Sequence, residues 1–318
     1  MNISFPMISA VIVTWNAKKY VEECLRSLRD NTDVPIETIV VDNASKDGTN
    51  ELVKDEFPNI KLIQNEKNLG FAKANNIGIS QSHGKYICLV NSDVNVFPGC
   101  LRKLIEFMEA NPKVGLLGPQ MLGPQHDIRR SSSRLPTIWN TFCRALALEK
   151  LFPGSRFFGA QLMSDFQHDR TMEVEVLNGW FWVVRREAME QVGYLDERFF
   201  IYGEDIDWCH RFRDAGWRLV FYAEASSLHY GGASSSAAPT RFYIEMQRAN
   251  LQYWKKHHGY GSCFCYCCAI FLHQFIRAIA YSLAYLSRAN SCANYQFKAR
   301  RSLATLGWML GMNKTELF

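Results

Sequence analysis

The chain lacks a long low-complexity tract and any internal repeat, which excludes a disordered linker and a solenoid. Its start, Met1 to Pro6, has neither a charged n-region nor an apolar stretch of signal-peptide length, and Ile8–Thr14 reads better as a first buried strand. The ten cysteines lack the spacing of a disulfide framework. Cys24, Cys88, Cys100, Cys143 and Cys209 are scattered through helical or buried-strand patterns, as reduced cytosolic thiols would be. Cys263, Cys265, Cys267 and Cys268 form a knot in which Cys265-x-x-Cys268 has metal-ligand spacing. No second ligand pair follows at zinc-site distance, and Phe264, Tyr266, Ile270, Phe271 and Leu272 surround it. Apolar packing or membrane contact is therefore the expectation there. No RNA-binding motif accompanies the basic residues, so nucleic acid is not an expected partner.

What is present is ordinary in bulk and uneven in placement. With 318 residues, 47% hydrophobic and 21% charged, the chain can form one large α/β domain with appendages, or two small domains. The net charge of +5 splits into +8 from Arg241 onward and −3 over residues 1–240. An acidic body with a basic, apolar tail points to an anionic membrane surface. Residues 263–287 are apolar and long enough to span a bilayer, but His273, Gln274 and Arg277 interrupt them. A charge near the centre is costly in hydrocarbon, and Lys298, Arg300 and Arg301 follow downstream. An in-plane or re-entrant helix on the inner leaflet is expected, with a buried soluble pair and a true span as alternatives.

The first 120 residues alternate apolar runs with helical patterns. Strands are predicted at 9–14, 37–41, 61–64, 86–90 and 114–117, and helices at 20–28, from Asp47-Gly48-Thr49, at 71–80 and at 101–108. Strands apolar throughout and separated by helices mean a mostly parallel sheet covered on both faces. Ligands of such sheets sit at the strands' carboxyl ends, where Thr14-Trp15-Asn16, Asp42-Asn43-Ala44-Ser45 and Asn91-Ser92-Asp93 all fall. Residues 124–170 read as a polar, turn-prone flap. Glu173–Val184 reads as one strand, 186–192 and 205–215 as helices, 217–222 as a strand, and 240–258 as a long aromatic helix.

A carboxylate at the exposed end of a buried strand can hold a divalent cation against a diphosphate, and a second carboxylate can take a proton from an attacking hydroxyl. Asp93 and Asp205, in Glu204-Asp205-Ile206-Asp207, are the candidates, and together they imply group transfer from a nucleotide-activated donor. Mg²⁺ and Mn²⁺ prefer such oxygen ligands. Asp42 can accept from the N3–H of uracil or thymine, with Thr14, Asn16 and Ser45 lining the same base and ribose pocket. Asn68 and Asn75 offer neutral hydrogen bonds, and Gly70 permits close approach of backbone to nucleotide. Asn91 can reach ribose beside Ser92, and Trp180 in Asn178-Gly179-Trp180-Phe181-Trp182 can stack on a sugar. Each has a plain alternative. Asp42 and Asp93 could be turn residues, Glu204-Asp205 a helix cap, 68–75 a helix start, and Trp180 ordinary core. Asp207 and Arg211, at i,i+4, read as a structural pair.

Val13-Thr14-Trp15-Asn16, Val41–Thr49, Asn68-Leu69-Gly70-Phe71-Ala72 through Asn75-Asn76, Leu89–Val94, Val192–Glu197 and Phe199–Asp207 stand in the order and spacing of family 2 glycosyltransferases. Over about residues 8–258 the chain resembles that family, most of all its bacterial rhamnosyltransferase branch of cell-surface polysaccharide synthesis. The resemblance implies a GT-A fold. Residues 1–258 would be the transferase domain (1–122 nucleotide-binding, 123–258 acceptor-binding), with 259–318 a helical membrane-associating tail. It implies inverting transfer from a nucleotide-diphosphate sugar, a dTDP- or UDP-sugar, to a glycan or lipid-linked acceptor at the cytoplasmic face of the cell membrane. Asp205 matches the family's catalytic base, with Glu204 orienting base or acceptor, and His229 falls where members often carry a metal-binding histidine beside Asp93. The family's metal motif is usually Asp-x-Asp, and Asn91 replaces its first acid here. A sugar-nucleotide pyrophosphorylase would need a glycine-rich first loop followed by Arg and Lys, which is lacking. A non-catalytic membrane adaptor with the same fold is the remaining alternative, and both Asp93 and Asp205 argue against it.

Overall fold

The computed structural model describes residues 7–152, 154–232, 238–287 and 292–312. The chain packs as two compact units, one of 1–135 with 166–236 and one of 136–165 with 237–318. That partition differs from a division at 258/259, a point which instead coincides with a break in a long helix at Gly259.

In the first unit, β1 (Ile8–Thr14), α1 (Lys18–Asn31), β2 (Ile36–Asp42), α2 (Thr49–Glu56), β3 (Lys61–Gln64), α3 (Phe71–Ser80) and β4 (Tyr86–Asn91) alternate as expected. The four strands are parallel, in the order β3-β2-β1-β4. Helical crossovers impose that direction, since parallel neighbours cannot be joined by tight turns. A short β5 (Val94–Val96), which no periodicity signals, precedes α4 (Cys100–Ala110) and β6 (Val114–Leu122). Two-residue strands β7 (Ile128–Arg129) and β8 (Ser132–Ser133) follow.

The flap expected over 124–170 is partly helical, with α5 (Ile138–Ala145) and α6 (Leu148–Leu151) falling in the second unit. Thr137 starts α5 by accepting the Asn140 N–H at 3.1 Å. The single strand expected over Glu173–Val184 is three pieces: β9 (Met172–Glu173), β10 (Val176–Leu177) and β11 (Phe181–Arg185). The break is the Asn178-Gly179 turn, where the Asn178 N–H donates to Ser131 O at 2.9 Å. Then come α7 (Arg186–Val192), α8 (Glu204–Asp214) and β12 (Arg218–His229), which runs seven residues past the expected end at Tyr222.

β11 inserts antiparallel between β4 and β6, and β12 pairs parallel with β6 and antiparallel with β5. The sheet is thus mostly parallel with reversed members. Ile8, Ala10, Ile12, Val40, Tyr86, Cys88 and Val90 share a core with Val21 and Leu25 of α1 and Leu104 and Met108 of α4. Alternate residues on these strands face the other way, and Val11 and Val41 lie under α3. A Cβ at Gly78 would come within 2.3 Å of Val11 Cγ1, so that helix sits close only because residue 78 is glycine. Each large apolar side chain so buried contributes about 1.5–3 kcal/mol.

In the second unit, α9 (Pro239–Leu286) is broken at Gly259, whose φ of 74° and ψ of −179° are not helical, and α10 (Cys292–Met309) packs on α9. By length and composition α9 could cross a membrane, with a mean hydropathy of 1.6 over its most apolar window. Cys263, Cys265, Cys267 and Cys268 all lie on it.

Candidate active site

Thr14 and Asp42 pair in register at the carboxyl ends of β1 and β2. Asp42 is wholly buried, and its Oδ2 accepts the Ser45 N–H at 2.9 Å and Asn50 Nδ2 at 3.0 Å. Its Oδ1 and the Thr14 Oγ1 are sealed from solvent with no hydrogen-bond partner among the described residues. Two such atoms side by side are costly unless something completes them. Asn16 and Ser45 are engaged with each other's loops. The Asn16 N–H donates to Ser45 Oγ at 2.8 Å, and Asn16 Oδ1 accepts the Lys46 N–H at 2.8 Å. An open cleft of about 490 Å³ adjoins them, lined by Asn16, Lys18, Tyr20 and Asp47 among others.

Gly70, with φ 84°, meets protein backbone. A Cβ there would lie 2.4 Å from Phe200 O, and the Phe71 N–H donates to the same oxygen at 2.6 Å. Asn68 Oδ1 accepts the Gly70 N–H at 2.9 Å, whereas Asn75 is 1% exposed and donates to Phe71 O within its own helix. Sequence reasoning passed over two asparagines that hold these segments. Asn43 donates to Gly70 O at 3.1 Å, and Asn76 brackets Leu195, donating to its oxygen at 2.8 Å and accepting its N–H at 3.1 Å. Both sit inside quoted motifs, and their burial (2% and 6% exposed) is the tertiary signal that marks them.

At the end of β4, Asn91 donates its N–H to Trp180 O at 2.9 Å. Ser92 and Asp93 are buried, at 8% and 6% exposed, and the Asp93 carbonyl accepts the Tyr230 N–H at 3.0 Å. The β5–β12 pairing carries His229 across the sheet to place its Nε2 3.1 Å from Asp93 Oδ1. Its Nδ1 lies 3.2 Å from Met121 Sδ, and the Trp180 ring stacks on it at 5.5 Å and 20°. In one tautomer Nε2–H donates to the Asp93 carboxylate; in the other, with the proton on Nδ1, the Nε2 lone pair and the carboxylate oxygen face each other and a cation between them satisfies both. Among the described residues no third His, Cys, Asp or Glu joins the pair. Two protein donors fit Mg²⁺ or Mn²⁺ that takes its remaining oxygens from a diphosphate and water.

Gly203, with φ 78°, turns the chain into α8, and Glu204 and Asp205 occupy the first turn. Asp205 accepts the Ile206 N–H at 2.8 Å and backbone N–H bonds from Gly179 and Gly203. Burial raises its pKa from the ordinary carboxylate value while these N–H bonds oppose the rise. Glu204 is 5% exposed, and its Oε2 has no partner among the described residues. Burial first, then the Asp205 charge, push its pKa well up. The N–H bonds favour charge on Asp205, so the first proton taken by the pair goes to Glu204.

Direct contacts join the two acidic clusters. A Cβ at Gly179 would lie 3.5 Å from Asp205 Cβ, Gly179 precedes Trp180, Trp180 stacks on His229, and His229 meets Asp93. Asp207 and Arg211 form the structural pair expected of them, at 2.9 Å, with Arg211 also donating to Val192 O and Tyr194 O.

The sequence model of Glycosyl transferase family 2 matches residues 9–193. The chain belongs to this family. It is a glycosyltransferase. Over 248 residues it is 29% identical to an N-acetylglucosaminyl-diphospho-decaprenol L-rhamnosyltransferase of Mycobacterium tuberculosis, covering 73% of this chain and 79% of that one. It is 22% identical over 259 residues to the glycosyltransferase AglE of Haloferax volcanii, covering 80% and 76%. The solved mannosyltransferase PcManGT from Pyrobaculum calidifontis superposes with a TM-score of 0.58 at 16% identity, covering 99% of this chain and 89% of that one. That likeness shows the fold alone, and the fold is GT-A.

Proposed function

We propose that this family 2 glycosyltransferase moves a sugar, rhamnose, from a nucleoside-diphosphate donor to a hydroxyl of a glycan or lipid-linked acceptor, inverting the anomeric centre. The observation that supports the reading is the run of contacts from Asp93 through His229, Trp180 and Gly179 to Asp205, which links the proposed cation site to the proposed base. The mycobacterial relative's name supports rhamnose and a decaprenol-diphosphate acceptor.

The unspent Asp42 Oδ1 accepts the N3–H of a uracil or thymine ring, and Thr14 Oγ1 completes the same edge. Asn16 and Ser45 hold the loops that shape this pocket, and Asn68 and Gly70 fix its far wall. Asn75 stiffens the helix behind it. Asn91 and Ser92 flank the ribose and diphosphate. Asp93 and His229 would hold a Mg²⁺ or Mn²⁺, which would supply positive charge to the leaving diphosphate. Two structures of the same fold hold Mn²⁺, one with GDP-mannose and one, GalNAc-T7, with UDP and GalNAc. Asp205, ionised, takes the proton from the acceptor hydroxyl as it attacks in line. Glu204, protonated, donates to the acceptor or to Asp205, and Trp180 fixes the His229 ring beside the sugar. The same reading places the protein at the cytoplasmic face of the cell membrane, where a lipid-linked acceptor presents itself to an enzyme with a +8 tail.

The test is release of nucleoside diphosphate from dTDP-rhamnose and a panel of UDP-sugars, with a synthetic lipid-diphosphate acceptor. Acceptor-dependent release that EDTA abolishes and Mn²⁺ restores is the expected result. Turnover of no donor in the panel would overturn the reading.

A further inference from the structure

The second unit carries a helix pair built the wrong way round for water. Between 260 and 286 every exposed side chain is apolar, tyrosine or cysteine, with no charge or amide among them. Phe264, Phe271, Phe275, Ile279, Leu283 and Leu286 make one stripe at helical spacing, from 40% to 72% exposed. Two polar residues of this run are turned inward. Gln274 is 1% exposed and donates to Tyr243 OH at 2.7 Å, and Tyr266, 6% exposed, donates to Gln247 at 3.1 Å. In α10 the buried positions are Ala299, Ser302 and Thr305, while Phe297 and Leu303 face out. Small residues and interhelical hydrogen bonds inside with large apolar ones outside is how helices pack when lipid is the solvent.

Beside this stripe stand three half-buried cations without counter-ions among the described residues. Arg277 donates to Tyr281 OH at 3.2 Å and lies 5.2 Å from that ring, Lys298 lies 5.6 Å from the same ring, and Arg301 sits 4.4 Å over Tyr243. Among the described residues none of the three has a carboxylate partner, and the sealed Arg277 Nε has no acceptor. Guanidinium and ammonium groups left in this state are suited to phosphate.

We infer that the second half of α9 and α10 form an in-plane lipid-binding pair, with the Phe264–Leu286 stripe among acyl chains and Arg277, Lys298 and Arg301 against the phosphates of anionic lipids. Orientation follows from where the charges sit. Arg277 and Arg301 lie midway along their helices, so a spanning pose would carry them to the bilayer midplane, whereas a flat pose keeps all three at headgroup depth. The inference rests on the membrane placement proposed above and is independent of the transfer chemistry.

The test mixes the full chain with sedimentable vesicles of phosphatidylcholine, with and without phosphatidylglycerol, and follows turnover with a soluble acceptor in parallel. Binding should require phosphatidylglycerol. Phe271→Ser, Phe275→Ser and Ile279→Ser combined should weaken it at least about tenfold while soluble-acceptor turnover persists. Arg277→Gln, Lys298→Gln and Arg301→Gln should each cost roughly fivefold in binding, and the three combined should abolish the preference for phosphatidylglycerol. The matching Arg277→Lys and Arg301→Lys changes should retain it. Unchanged vesicle binding in the triple serine variant overturns the inference. So does a wild-type dimer that this variant splits while neither form binds vesicles, since the stripe is then an interface between copies. Wild-type turnover on soluble acceptor without any vesicle binding would sink this inference and leave the transfer reading standing.

Discussion

Phe212 in the first unit and Phe275 in the second are both aromatic residues on helices, yet one is 0% exposed and the other 49%. The contrast extends to polar residues. In the first unit three of the buried polar atoms without partners among the described residues, Asp42 Oδ1, Thr14 Oγ1 and Glu204 Oε2, lie at strand ends and a helix start, where a ligand can complete them. In the second unit the buried amide of Gln274 and hydroxyl of Tyr266 are matched within the unit, Arg277 Nε is sealed without an acceptor, and large apolar residues are left outside. Burial therefore carries different information in the two places. Unspent polar atoms grouped at the strand ends of a water-facing unit point to a ligand, whereas an unspent apolar face points to a different solvent.

Several substitutions would sharpen or break that contrast. The largest effect should come from Asp205→Asn, lowering kcat by about 10³-fold with donor affinity little changed, as titration calorimetry and turnover together would read. Near-normal turnover would remove the base from the site. Phe212→Ala should cost about 4 kcal/mol in urea unfolding because it opens a cavity under α8. Gly70→Ala should cost about 2 kcal/mol and lower activity, since the added methyl meets Phe200 O at 2.4 Å and φ is 84°. Glu204→Gln gives a smaller effect with a definite sign. A raised folded pKa means the Glu204 contribution to stability is present below its ordinary value of 4.5 and lost as pH rises through the folded value. The Gln variant should therefore melt above the wild type, by a margin that grows toward alkaline pH. A margin that shrinks instead would show that Glu204 is buried as the anion. Phe275→Ser should be the mildest, within about 0.5 kcal/mol in detergent-free buffer. A loss as large as that of Phe212→Ala would mean that the stripe is packed against protein.

Most of the parallel half was legible from residues because its strands are apolar on both faces and its helices carry one stripe each. Tyr86–Asn91 and Phe71–Ser80 lie where periodicity puts them. The antiparallel insertions were not legible. β5 is three residues long, and the break at Asn178-Gly179 is set by a hydrogen bond to Ser131 from a distant segment. The site shows the same division. Asp93, Asp205 and His229 stand out as chemistry-bearing residues, but the meeting of His229 with Asp93 and the placing of Trp180 beside them depend on β11 and β12, whose pairing partners lie up to about 135 residues away in sequence. Asn16, Ser45 and Asn75 were read as ligand contacts, and their hydrogen bonds run to the protein's own loops and helix.

By itself, then, the amino-acid order determined the alternation of strand and helix, the family, and the residue types able to hold a cation and accept a proton. Local propensity, apolar period and short motifs suffice for those. Only the tertiary structure decided which carboxylate meets His229, that Gly70 is glycine because Phe200 crosses it, and that Gln274 faces inward while the phenylalanines of its helix half face out. Those outcomes depend on which surfaces touch across long stretches of chain, and contact of that kind is settled by packing rather than by neighbours in sequence.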